Sequence, residues 1–123
     1  MARTSKNVVY LEDSVAVSGA TSGYTTTIDS TLVTNGITVP NYVSKDGNVF
    51  LRVKNTAGTD KTFTVKKGVF PRAFADKTVT VAATSGDQFL LIKDSARYKQ
   101  ADGAIYINFQ TGFTGSIEIY GIK

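Results

Sequence analysis

A chain of 123 residues with 41% apolar and 20% charged side chains has the composition of one ordinary globular domain. It contains neither Cys nor His. Their absence excludes disulfides, thiol nucleophiles, zinc–thiolate sites and iron–sulfur clusters, and removes the commonest general base and transition-metal ligand. The net charge of +4 has no basic run longer than Lys66–Lys67, so it reads as a solubility feature and makes nucleic acid an unlikely partner.

Residues 1–30 are expected to form a flexible or irregular N-terminal segment, ahead of a β-domain spanning residues 31–123. The start is polar, with apolar residues gathered only at Val8–Leu11 and Val15–Val17, and it lacks the apolar core of a secretory signal. No hydrophobic run is long enough to span a bilayer, so synthesis in the cytosol and a soluble product are expected, with no membrane partner. The stretch Gly19–Thr27 reads as an irregular loop. Thr34-Asn35-Gly36-Ile37 then presents Asn-Gly, the preferred centre of a type I′ hairpin. That register predicts Thr34 opposite Ile37 and Leu32 opposite Val39, with Pro40 ending the second strand.

Alternation marks the strands that follow. Val49, Leu51 and Val53 share one face, with Phe50, Arg52 and Lys54 on the other. Phe63 and Val65, then Val79 and Val81, repeat the pattern against threonines. Gln88–Ile92 is a continuous apolar run after the turn signal Ala83–Asp87, and reads as a buried strand. Ile105, Ile107 and Phe109, then Ile117 and Ile119, complete the predicted core. The connections Asn55–Asp60, Asp102-Gly103 and Gln110–Gly115 carry turn chemistry. Lys93–Gln100 is allowed one helical turn at most. The expected fold is all-β, a single-domain antiparallel β-sandwich or small barrel of jelly-roll or Ig-like kind, with about six to nine short strands.

Sites for chemistry are sparse. The sequence has no G-x-G-x-x-G, no P-loop and no S-x-x-K, and no acidic loop of calcium-binding spacing. Asp46, Asp60, Asp87 and Asp102 stand beside turn glycines, where an aspartate serves its backbone. No catalytic residue, cofactor or metal is assigned, and the chain is not expected to be an enzyme. What remains are aromatics in predicted loops or at strand ends: Tyr24, Tyr42, Phe70, Phe74, Tyr98 and Phe113. Exposed rings of this kind stack on sugars or anchor protein interfaces. Phe70, Arg72 and Phe74, on the connection Gly68–Phe74, are candidate partner contacts. So are Arg3 and Lys6, on a polar terminus able to order on a partner.

Several segments, in order and spacing, resemble a family of small virion proteins of tailed bacteriophages, described as capsid decoration or minor head proteins. They are Met1–Thr4, Asp46-Gly-Asn-Val-Phe-Leu-Arg-Val-Lys-Asn55, Ala75-Asp-Lys-Thr-Val-Thr-Val-Ala82 and Tyr98-Lys-Gln-Ala-Asp-Gly-Ala-Ile-Tyr-Ile-Asn-Phe109. The match runs from about Gly36 to Ile122. The resemblance implies a protein on the outer capsid surface, a homotrimer that bridges major capsid protein subunits and stabilises the head without catalysis. A carbohydrate- or receptor-binding β-module of a phage fibre is the alternative drawn from the loop aromatics. A nucleic-acid-binding barrel of OB type is a third, weaker reading.

Overall fold

The computed structural model describes residues 4–5, 9–11, 25–39, 48–69, 75–92, 98, 100 and 104–122. These residues form two five-stranded sheets packed face to face and not closed into a barrel: the sandwich expected from the alternation. The first sheet has the order β1 (Thr4–Ser5), β4 (Ile37–Val39), β9 (Ile105–Phe109), β6 (Lys61–Val65), β7 (Lys77–Val81). The second is built on β10 (Gly115–Ile122) and β5 (Asn48–Asn55), with β8 (Gly86–Ile92) on the far side of β5. One edge of β10 pairs with β5 over its whole length. Its other edge is shared by β3 (Thr25–Ile28), antiparallel, and β2 (Val9–Leu11), parallel.

The core follows the period-2 rule. Val49, Leu51 and Val53 of β5, with Ile117 and Ile119 of β10, meet Phe63, Val65, Val81, Ile105, Ile107 and Phe109 from the opposite sheet in one cluster. A sequence that puts a β-branched or aromatic residue at every second position has one face it must hide, and two such sheets hide each other.

Four expectations are corrected. First, Asn35-Gly36 does not turn a hairpin: Ser30–Asn35 is a short helix, α1. Asp29 caps it by accepting from Leu32 N at 2.9 Å, and Gly36 ends it at φ 74°. The positive φ that Asn-Gly offers a type I′ turn is equally what a helix C-terminus needs. Leu32 therefore lies buried on a helix, while Val39 pairs with Ile105 in β4, between β1 and β9.

Second, the N-terminal thirty residues contain β1, β2 and β3, and Ile28 of β3 is part of the core, so Thr25–Thr27 is strand and not loop. The pairings of β1 with β4 and of β2 with β10 are parallel, so the sandwich is not purely antiparallel. Third, Gln88–Ile92 is not a buried run: Phe89 is 61% and Leu91 48% exposed. Fourth, Phe113 is buried and packs edge-on against Phe109, with ring centroids 5.4 Å apart. The loop turned it inward to plug the sandwich. Within the predicted turn of residues 93–100 only Tyr98 and Gln100 are described, with Tyr98 packed against the core.

One buried polar side chain fastens an end of the sandwich. Asn55, 1% exposed, donates through Nδ2 to the carbonyls of Thr59 (3.1 Å), Val81 (3.1 Å) and Ala82 (3.2 Å), and its Oδ1 accepts from Ala57 N at 2.9 Å. It ties the β5–β6 connection to the crossing where β7 leaves one sheet and β8 enters the other. Asp60 Oδ1 adds a bond from Ala83 N at 2.8 Å. Beside Asn55 in the register lies Gly115, at φ 134°, where any Cβ would sit 2.0 Å from the carbonyl oxygen of Lys54. Only glycine allows β10 to start that close to β5. Asn55→Ala leaves one buried and two partly buried carbonyls short of a donor and is expected to cost about 1–3 kcal/mol. Urea denaturation should show a lower midpoint, and an unchanged midpoint would contradict the assigned role.

Candidate functional site

The two outer faces of the sandwich differ in chemistry. The outer face of the first sheet is polar: Thr64 lies between Asn108 and Thr78, Thr62 pairs with Thr80, and the Thr64 and Thr78 hydroxyls share a hydrogen bond of 3.1 Å. The outer face of the second sheet is aromatic and charged. Register alone assembles it. Leu91, Phe50 and Tyr120 form one row across β8, β5 and β10; Phe89, Arg52 and Glu118 form the next; Asp87, Lys54 and Ser116 form the third.

Within this face the contacts interlock. Phe50 stacks on Tyr120 with centroids 5.1 Å apart and lies 6.3 Å from Phe89. The Arg52 guanidinium sits 5.4 Å from the centre of the Phe89 ring. It grips Asp87 bidentately, through Nε at 3.1 Å and a terminal nitrogen at 2.9 Å. Glu118, largely buried, stands 4.0 Å from the other arm of Arg52 and accepts a short hydrogen bond from the Tyr120 hydroxyl. Arg52 is thus held at the centre in a fixed orientation. The result is an interlocked platform on which Phe89 and Leu91 are the exposed large apolar groups.

The five residues singled out from sequence, Arg3, Lys6, Phe70, Arg72 and Phe74, lie outside the described residues, as do Tyr24 and Tyr42. The ends of the connection that carries Phe70, Arg72 and Phe74 are clasped together. Asp76 accepts from Lys66 Nζ and from Lys67 N, both at 2.8 Å, and Gln100 donates to the Lys67 carbonyl at 2.9 Å. Sequence reasoning missed the platform. Alternation puts Phe50 and Arg52 on the face away from the core, but which strands lie beside them is not a local property.

Among the described residues no group of three His, Cys, Asp or Glu comes together to hold a metal ion. A depression of about 250 Å³ beside α1 is lined by Ser30, Thr31, Thr34 and Asn35, none of them an acid or base near neutral pH. Among these residues no helix is long and apolar enough to cross a membrane. Compared with protein-family models, curated proteins and solved structures, the chain matches none.

The Arg52–Asp87 pair has a pH signature. The hydrogen bonds from Arg52, chiefly, hold the Asp87 carboxyl below its ordinary value of 3.8. The folded state therefore binds this proton more weakly than the unfolded chain. The stabilisation is complete above the ordinary carboxylate value and fades as pH falls through the lower folded one. Because the pair is partly exposed, it is worth at most about 1 kcal/mol. The stability difference between the native protein and Asp87→Asn should be constant near neutral pH and shrink below pH 3.8. In carboxyl NMR titrations the Asp87 midpoint should rise in Arg52→Leu. A midpoint indifferent to that substitution would contradict the pairing.

Proposed function

We propose that the protein is a non-catalytic virion component of a tailed bacteriophage, a capsid decoration protein that binds the outer surface of the major capsid lattice. The observation that carries the reading is the platform itself: a rigid sheet face with Phe89 and Leu91 exposed around a fixed arginine, on a molecule whose opposite face is Thr-rich and polar. A face of this kind suits docking against a broad protein surface. The resemblance of Asp46–Asn55, Ala75–Ala82 and Tyr98–Phe109 to small head proteins names the surface.

The mechanism is linkage. A protein that binds the assembled lattice and not its separated subunits stabilises the lattice by mass action. Many copies, each contributing modestly, raise the resistance of the head to internal pressure. Phe89 and Leu91 supply apolar area, and Arg52, Asp87 and Lys54 fix the orientation. A second reading is favoured by the exposed Phe89 ring beside fixed polar groups, which could stack on a glycan in a receptor-binding module.

Purified protein mixed with expanded, undecorated heads should co-sediment with them. Phe89→Ala should weaken that binding by about tenfold or more, as truncation of an interface anchor does. Thr80→Ala, exposed on the outer face of the opposite sheet, should leave it unchanged. Failure of the native protein to sediment with heads would overturn the lattice reading, and selective glycan binding lost in Phe89→Ala would establish the second.

A further inference from the structure

The edge of the second sheet is unusual. Among the described residues β8 pairs only with β5, leaving one side of a seven-residue strand open. Soluble proteins blunt such edges with lysine, proline, bulges or brevity, because unpaired N–H and C=O groups template another strand. The first sheet obeys this. Its edge strand β1 has two residues, and its other edge, β7, begins with Lys77 and turns Thr78 and Thr80 outward. The strand β8, Gly-Asp-Gln-Phe-Leu-Leu-Ile, has no Lys, Arg or Pro. Its one charge, Asp87, is neutralised from within by Arg52. Its exposed apolar side chains are Phe89 and Leu91, beside exposed Asp87 and Gln88.

We infer that the occupant of this edge is the β8 of a second copy, paired antiparallel about a two-fold axis normal to the sheet. The argument is self-complementarity. Outward residues must oppose outward residues, so only registers centred on a residue are allowed. Centring on Leu90 sets Phe89 opposite Leu91 of the partner and Leu91 opposite its Phe89, so each projecting group gains an apolar neighbour across the seam while the outer face stays open. Centring on Phe89 instead sets each Leu91 against a partner Asp87. The first register extends the row Tyr120–Phe50–Leu91 directly into Phe89 and Arg52 of the second copy, with no like charges opposed.

A single isologous pairing uses up the β8 edge, so an assembly built on that edge closes at two copies and not at the three that the family resemblance implies. A single strand pair buries less than the roughly 1,000 Å² of a tight interface, so the dimer is reversible and depends on concentration. The inference concerns the free protein and does not rest on lattice binding.

Sedimentation velocity from low micromolar to near-millimolar concentration tests it. The average mass should rise from one chain toward two, and Phe89→Lys should shift that rise to at least tenfold higher concentration. A strict monomer, a trimer, or a dimer indifferent to Phe89→Lys would overturn it. Register is read separately, since the chain has no cysteine of its own. Phe89→Cys protein mixed with Leu91→Cys protein should form the mixed disulfide on mild oxidation, because opposed Cα atoms lie about 4.5–5.5 Å apart. Phe89→Cys alone, with its two sulfurs offset by two residues along the strand, should cross-link far more slowly. Equal rates in the two reactions would overturn the register. Both positions are solvent-exposed, and unchanged thermal unfolding of each variant would show that the fold survives.

Discussion

The pleat of β5 is the constraint from which the rest of the molecule follows. Val49, Leu51 and Val53 are each 1% exposed or less, so their side chains are committed to the interior. Because successive residues point to opposite faces, that commitment fixes Phe50, Arg52 and Lys54 on the outside. A slip of one residue would bury an arginine and a lysine and expose three aliphatic side chains. The register is therefore strongly specified, and the two flanking strands inherit it. Glu118 and Tyr120 on one side and Phe89 and Leu91 on the other are brought to Arg52 and Phe50 by the same rule. The platform is thus a by-product of core packing.

Hydrogen bonding at the sandwich end reinforces this. The crossing from β7 to β8 carries Thr84 at φ 69°, a strained conformation for a β-branched residue. It persists because the crossing is held from several directions: Thr84 N donates to the Ala57 carbonyl at 2.8 Å, while Asn55 and Asp60 grip its neighbours. The strand that leaves this crossing is the open-edged β8. The hydrogen bonds at the crossing thus lie directly before the strand that carries Phe89 and Leu91.

Much of the fold was legible in the sequence because it is local. The strands β5, β6, β7, β9 and β10, and the residues each turns inward, follow from alternation alone. Where reading failed, one local signal served two structures. Asn35-Gly36 offers a positive φ that ends a helix as readily as it turns a hairpin, and Asp29, the helix cap, decided between them. Gln88–Ile92 lacks alternation, so its composition suggested burial, whereas its place at an edge exposes two of its apolar groups. Phe113 looked like a loop ring available for binding, yet Phe109 beside it offered an apolar site. The parallel pairings of β1 and β2 join residues far apart in sequence and leave no local trace. The platform shared that obscurity: its residues were visible singly, but their adjacency depends on sheet order.

The described carboxylates are engaged in capping and pairing. The two outer faces differ in composition: one is Thr-rich, and the other carries the aromatic and charged groups. A reconstructed cryo-electron map of mature heads carrying this protein tests most directly which of them meets the shell. The account predicts density for the chain on the shell exterior, with Phe50, Phe89, Leu91 and Tyr120 turned toward neighbouring protein and Thr62, Thr64, Thr78 and Thr80 turned to solvent. Bound chains with the threonine face against the shell and the aromatic face bare would contradict it.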